Sequence, residues 1–335
     1  MKKYTKADLV KAQKLINGAK SILILAPDSQ DGDSASANLA LKTTFESMKK
    51  HVFWVSEKGA HPSFDYLEGN QSCADRRALR TLQDKIDLVV LADLGGTTQI
   101  AKSLESAPWI LNKPKIIFDH HQNRNKVLFN VEIADESAAA TGLLLAEIYP
   151  KLGWPITSKI ATYMLAGIYS DTGSFTNLNT SQRVFEVSAN LAKLGADPAK
   201  LSENFLTSNG MNKAELASFA KLLTKVKIKN HVAYAAINYS DIAGLTNSDM
   251  SHRVGDIIRY MQTVKVSFVV TEKMPKKFFL SMRCLDGFDV SKIAEAFGGG
   301  GHKVAAGAKF DESYSSIDQA IETVLRPTIS EANKN

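Results

Sequence analysis

Four apolar runs along the chain each stop at an aspartate. Residues 21–26 lead to Asp28, Asp31 and Asp33, residues 88–92 lead to Asp93, and residues 115–118 lead to Asp119-His120-His121. Short continuous apolar runs of this kind predict strands covered on both faces, as in a parallel sheet. The fourth run, residues 164–169, predicts a helix and ends at Asp171. Between them lie helix signals. Thr5 is placed to cap a helix that closes near Gly18, the small residues 34–40 suit a helix, and Ser137 is placed to cap an Ala- and Leu-rich helix that Pro150 stops. Further helices are expected from Thr157 and over residues 181–194, with a strand at 51–55 and a short edge strand at 128–131. Residues 57–82 show no chemistry. Strands alternating with helices predict a doubly wound α/β domain.

Beyond residue 195 the pattern changes. Turn-rich stretches at 195–198 and 207–210 predict a hinge over residues 196–212, dividing a first domain, 1–195, from a second, 213–330. The second should hold strands at 226–229, 232–237, 264–270 and 277–283, with helices at 249–260, 290–297 and 316–325. The polar residues 330–335 are expected to fray. The apolar helix around residues 160–169 is open to two placements, the core or a homodimer surface.

Composition narrows the class. A chain of 335 residues, 44% apolar and 23% charged, can bury a core in each of two domains. No apolar run is long enough to span a bilayer and the N-terminus lacks a signal-type segment, so a cytoplasmic protein is expected. Two distant cysteines, Cys73 and Cys284, exclude a disulfide framework and a zinc ribbon. A net charge of +6 favours anionic partners. The tightest basic group, Lys273, Lys276 and Lys277, reads as a solvated turn between two strands.

Taken singly, an Asp after a strand is a turn former or a helix cap. Four such segments, one with two histidines attached, point instead to a shared metal centre, because the carboxyl ends of strands in an open α/β sheet face the ligand crevice. Carboxylates with one or two imidazoles suit Mn²⁺ or Mg²⁺, and the absence of nearby Cys argues against thiolate zinc.

The order Asp31-Gly32-Asp33, Asp93, Asp119-His120-His121 and Gly167 to Phe175 resembles the four motifs of the DHH phosphoesterases. Arg283, followed by Gly298, Gly299, Gly300, Gly301 and His302 and the Ala-Ala-Gly at 305–307, resembles the DHHA1 substrate-binding domain of the same enzymes. Length and layout are similar to the nano-RNase and pAp phosphatase, or bifunctional oligoribonuclease, type. The resemblance implies a mainly parallel, doubly wound DHH domain followed by a smaller α/β DHHA1 domain. It implies two Mn²⁺ ions, with Mg²⁺ an alternative. Asp31 and Asp93 would hold one, and Asp33, Asp93, His120 and Asp171 the other. His121 would face the scissile phosphate, and Asp119 would orient a neighbouring imidazole. The family places a His four residues before Asp31, where this chain has Pro27 followed by Asp28. Asp28 is taken as the replacement ligand; a weakly held ion and a plain turn residue are the other readings.

Arg283, His302 and the backbone of the Gly run would hold one end of the substrate while the metals act on the other, with domain closure across the hinge. The implied activity is hydrolysis of phosphate esters in short RNA or DNA oligonucleotides or small nucleotides such as pAp and linear dinucleotides. Two alternatives stand beside it. Pyrophosphatases and polyphosphatases share the first domain but typically carry a Lys- and Arg-rich signature in the second. A nucleotide-binding module impaired by loss of the motif His is the other.

Overall fold

The computed structural model describes residues 3–28, 30–121, 129–208, 210–243, 250–285, 288–310 and 314–333, except the side chain of His302. They form two compact units, Met1–Asn209 and Gly210–Asn335. The expected starts of an edge strand at Leu128 and a helix at Asp249 lie outside the described residues.

The first unit contains α1 (Lys6–Gly18), β1 (Ser21–Leu25), α2 (Gly32–Ser47), β2 (His51–Ser56), β3 (Ala74–Asp75), β4 (Leu88–Ala92), α3 (Ala101–Ser106), β5 (Lys115–Asp119), β6 (Val131–Ala134), α4 (Thr141–Leu152), α5 (Ser158–Asp171), α6 (Gln182–Lys193) and α7 (Pro198–Ser208). Its six strands are all parallel, in the order β3-β2-β1-β4-β5-β6. Strand order reverses between β1 and β4, and a crevice opens at the carboxyl ends of strands at such a reversal. The acids after β1, β4 and β5 all lie at that end. Side chains alternate between two cores, as the two-residue period of a strand requires. Ile22, Ile24, Val90 and Phe118 pack with α1, α2, α4 and α5. Leu23, Leu25, Val89 and Ile117 pack with Leu79, Ile100 and Ile110 from short turns.

Three boundaries differ from those expected. α4 starts at Thr141, because the Ser137 Oγ donates to Asp135 Oδ1 and so caps nothing. It also runs through Pro150 in its last turn and ends at Gly153 with φ 68°. The hinge region holds α7. Asp197 Oδ1 accepts the N–H groups of Ala199 and Lys200 at 3.0 Å each, and Phe205 meets Tyr169 edge-on with ring centroids 5.3 Å apart. The ring contact ties α7 to the first unit. In α5, Ile160, Tyr163, Met164, Leu165 and Ile168 are buried, which places that helix in the core.

The second unit contains α8 (Lys213–Leu223), β7 (Lys227–Lys229), β8 (Val232–Ile237), α9 (Tyr239–Ile242), α10 (Met250–Ile258), β9 (Val266–Met274), β10 (Lys277–Cys284), α11 (Val290–Ala296), β11 (Gly300–His302), β12 (Ala305–Lys309) and α12 (Ile317–Ala332). The sheet runs β11-β12-β10-β9-β8-β7 and is antiparallel except for β8 and β9. Phe268, Leu280 and Met282 pack on α11 and α12, while Ala233, Ala235 and Val269 pack with residues of α8 and α10. α12 continues to Ala332, which is fully buried, through residues expected to fray. Among the described residues, no helix is long and apolar enough to cross a membrane.

Candidate metal centre

Asp93 follows β4 with its N–H donated to the Phe118 carbonyl at 2.9 Å and its backbone at φ 56°. A buried non-glycine residue in the left-handed region is uncommon, and such strain gathers at functional sites. Asp119 closes β5 and is fully buried. Its Oδ1 accepts both the His121 backbone N–H, at 3.1 Å, and His121 Nδ1, at 2.8 Å. His120 Nδ1 meets the Ala138 carbonyl at 3.2 Å, so that nitrogen carries the proton. The other nitrogen, Nε2, lies 3.2 Å from Asp171 Oδ2 and 3.4 Å from Asp93 Oδ1.

Asp33, in the first turn of α2, has an additional task. Its Oδ2 accepts the Thr141 N–H at 2.6 Å and its Oδ1 the Gly142 N–H at 2.9 Å. No side chain of α4's own N-cap residue, Ala140, caps that helix, so Asp33 caps it from another helix. The Thr141 hydroxyl then donates to Asp93 Oδ1 at 3.1 Å. Two groups of ligand atoms result, each drawn together within 4.8 Å: Asp33, His120 and Asp171, and Asp93, His120 and His121.

Asp31 and Asp28 belong to neither group. Asp31 caps its own helix, accepting the Ser34 N–H at 2.9 Å, yet its carboxyl feels the charges of Asp93 and Asp171. Asp28 accepts the Ser103 hydroxyl at 3.4 Å and has Glu57 and Lys102 as its charged neighbours. The structure thus directs Asp28 toward α3.

The protonation pattern follows from burial and crowding. Burial, then Asp93 and Asp171, push Asp31 up to about 7. The same causes hold Asp33 well above the usual carboxylate range. Burial would also raise Asp93, but hydrogen bonding from His120 and the charges of both imidazoles hold it below its ordinary value. Burial pulls His120 down, and its bonds to Asp171 and Asp93 more than reverse that. His121 is raised in the same way by Asp119 and Asp93. Among the described residues no Lys or Arg pairs with Asp31, Asp33, Asp93 or Asp171. Two buried carboxylates raised by their acidic neighbours, with no Lys or Arg beside them among the described residues, fit a hard divalent ion with oxygen and imidazole donors.

Asp31 and Asp33 keep protons in the folded, metal-free chain where the unfolded chain has lost them. Their contribution is full below the unfolded value of 3.8 and is lost as pH rises through the folded value, about 7 for Asp31. His120 and His121 act with the same sign, and the depressed Asp93 opposes them only at acid pH. The metal-free Tm is therefore expected to fall as pH rises from 5 to 8 on the order of several degrees, and saturating Mn²⁺ to restore it at the upper end. Circular-dichroism melts would check this; a metal-free Tm that climbs over the range would contradict it.

In the second unit, register aligns Arg283 with Ala305 and Ala305 with His302 across the sheet. The side chain of His302 lies outside the described residues. Arg283 donates to Asp256 Oδ1 at 2.9 Å. The Gly run is built differently from the concave donor site expected. The Gly298 and Gly299 N–H groups cap α11 by donating to Glu295 and Ala294 carbonyls. Gly300 and Gly301 pair with β12. Glycine is required at 298 by φ 71°, and at 301 because a Cβ would lie 2.6 Å from the Ala305 carbonyl. A cavity of about 270 Å³ opens beside the run among Ser251, His252, Lys273, Ser281 and Gly299.

The sequence reading missed Thr141 and Gly142, and it placed Gly167 in the last motif without its packing against Asp33. A Thr-Gly pair opening a helix after Ala138-Ala139-Ala140, and a glycine inside the apolar helix before Asp171, are the signals that mark them.

Comparison with known proteins agrees with the architecture. The profile of the DHH family, N-terminal domain, matches residues 21–168, and that of the DHHA1 domain matches residues 229–327. The chain is 28% identical over 296 residues to the bifunctional oligoribonuclease and PAP phosphatase NrnA of Thermus thermophilus, covering 88% of this chain and 85% of that protein. It is 27% identical over 310 residues to the cyclic-di-AMP phosphodiesterase PdeA of Listeria monocytogenes, covering 87% of this chain but only 45% of that one. In fold it is similar to an exopolyphosphatase-related protein from Bacteroides fragilis, with a TM-score of 0.86, 19% identity and 98% of each chain covered. With its Asp- and His-lined centre in a DHH domain and a DHHA1 domain behind it, this chain belongs to the DHH family of phosphoesterases.

Proposed function

We propose that the chain is a divalent-metal phosphoesterase, using Mn²⁺, that hydrolyses phosphate esters of short oligonucleotides or small nucleotides. The observation that carries this is the convergence of Asp33, Asp93, His120 and Asp171, with His121 beside Asp93. Asp33, Asp93, His120 and Asp171 would hold one ion, and Asp31 with Asp93 the other. Bound there, two divalent ions supply an activated water and neutralise phosphoryl charge during in-line displacement.

The remaining work falls to side chains. The Ala138 carbonyl fixes the His120 ring so that Nε2 is its donor atom. Asp119 takes His121 Nδ1, which leaves Nε2 as the nitrogen for the scissile phosphate or for passing a proton to the leaving oxygen. In the second unit, the planar fork of Arg283 is the proposed phosphate holder, with His302 and the residues Gly298 to Gly301 beside it. The names of two relatives, an oligoribonuclease and PAP phosphatase and a cyclic-dinucleotide phosphodiesterase, support a nucleotide ester as substrate.

The test is release of phosphate or mononucleotide from an RNA dinucleotide, pAp, a linear dinucleotide and pyrophosphate, with the metal-free chain and after addition of Mn²⁺ or Mg²⁺. Turnover of the nucleotide esters that requires added metal is expected. Preferential cleavage of pyrophosphate would replace this reading with the pyrophosphatase one. Calorimetric binding of these nucleotides with no turnover under either ion would make the chain a binding module.

A further inference from the structure

The segment between β6 and α4, residues 135–140, touches the metal centre through its backbone. The Ala138 carbonyl meets His120 Nδ1 at 3.2 Å, and Asn179 Nδ2 donates to the carbonyls of both Ala139 and Asp171 at 3.1 Å. Immediately after it, Thr141 and Gly142 hold Asp33 and Asp93. A backbone carbonyl orients an imidazole only as well as its own segment is held.

What holds this segment is an ion-pair cluster that takes no part in the metal site. Asp135 is 1% exposed in its side chain and sits 2.7 Å from Arg183 Nη2. The same guanidinium reaches Glu147 of α4 with Nε at 2.7 Å and Nη2 at 2.6 Å, and the Ser137 Oγ with Nη1 at 3.0 Å. Asp135 Oδ1 accepts the Ser137 N–H at 3.0 Å, and the Asp135 carbonyl accepts the Ala138 N–H at 3.0 Å. The Asp135 N–H donates to the Asp119 carbonyl at 3.1 Å. Lys3, largely exposed, is a second cation near Asp135 among the described residues, at 3.3 Å. Among the described residues, Arg183 on α6 is therefore the single side chain that joins Asp135, Ser137 and α4, the two ends of the segment. An isolated exposed ion pair contributes little, whereas a bidentate guanidinium on half-buried carboxylates fixes geometry.

We propose that Arg183 is a positioning residue for the metal centre, clamping the 135–140 segment so that the Ala138 carbonyl and the start of α4 present His120 and Asp33 in ligand geometry. The inference rests on the metal reading above. It is tested by isothermal titration of Mn²⁺ into the full-length, metal-free chain. The variants are Arg183→Met, which keeps the apolar stem, and Arg183→Lys, which keeps the charge without the fork. Tyr149→Phe loses the Thr44 hydroxyl bond of 2.9 Å on the far part of α4 and serves as the stability control.

Arg183→Met is expected to remain folded by circular dichroism and to bind Mn²⁺ about 10- to 100-fold more weakly, with Arg183→Lys between it and wild type. Tyr149→Phe is expected to lower the Tm and leave Mn²⁺ affinity unchanged. A folded Arg183→Met chain with a Kd within about twofold of wild type would overturn the proposal, as would an equal loss in Tyr149→Phe. Should Arg183→Met not fold, Arg183→Lys decides: a wild-type Kd overturns the clamp and a weakened one supports it. A wild-type chain that binds no Mn²⁺ overturns the metal reading itself, and this inference with it.

Discussion

Exchanging Asp93 for asparagine is expected to lower turnover of nucleotide esters by roughly 10³-fold or more, about 4 kcal/mol of barrier, without unfolding the chain. Asn is the informative replacement because it tolerates the left-handed backbone at φ 56°, where alanine would add strain. The carboxylate stands between His120 Nε2 at 3.4 Å and His121 Nδ1 at 3.5 Å and accepts the Thr141 hydroxyl, so no neighbour can take its place. Its removal also relieves the repulsion that raises Asp31 and Asp33. The two imidazoles that hold Asp93 ionised lose their partner as well, so the metal-free Asp93→Asn chain should melt somewhat below wild type at pH 8 yet stay folded, and its melt separates loss of activity from loss of fold. Asp28→Asn is the contrast. Bonded to Ser103 and flanked by Glu57 and Lys102, Asp28 should be worth no more than about threefold in turnover. Steady-state rates and melts of the two variants check both statements; an Asp28→Asn loss as deep as that of Asp93→Asn would place Asp28 among the ligands.

The centre was legible in the sequence where its chemistry coincides with the end of an element. Asp93 and Asp119 terminate buried parallel strands, whose continuous apolar runs are plain, and Asp171 terminates a buried helix. What escaped was set by contacts between elements distant in sequence. Ser137 has the composition of a helix cap, but its hydroxyl goes to Asp135, and the helix is capped by a carboxylate 108 residues away. The Gly run reads as an anion cradle, yet two of its N–H groups close α11 and the next two residues pair into a strand. Asp197-Pro198 reads as a turn, and it is the start of a helix whose Phe205 finds Tyr169. In each case the residue type was read correctly for its local preference, and a partner invisible to local reading decided the outcome.

Gly167→Ala is expected to be strongly damaging although it removes no charged group. A Cβ at 167 would fall on Asp33 Oδ1 and lie 2.9 Å from the Ser36 hydroxyl. Asp33 cannot retreat, because both its oxygens hold the first N–H groups of α4 at 2.6 and 2.9 Å. Nor can α4 move aside: a Cβ at Gly142 would already lie 2.6 Å from the Met164 carbonyl, so α4 and α5 are in backbone contact there. Overpacking together with a loosened cap should cost about 2–5 kcal/mol. In a unit of this size that is a Tm loss on the order of 5–15 °C. Mn²⁺ affinity should fall as well, since the displaced carboxylate is a proposed ligand.

The cause can be isolated with the double variant. Asp33→Ala alone should cost about 1–2 kcal/mol by uncapping α4. Adding Gly167→Ala to it places the new methyl in the space the carboxylate has left, so the double variant should be less destabilised than the sum of the two, by at least about 1 kcal/mol. Urea unfolding of the metal-free chains measures this coupling. Simple additivity would mean that the glycine is required by helix contact elsewhere, and that its place beside Asp33 is incidental to the metal centre.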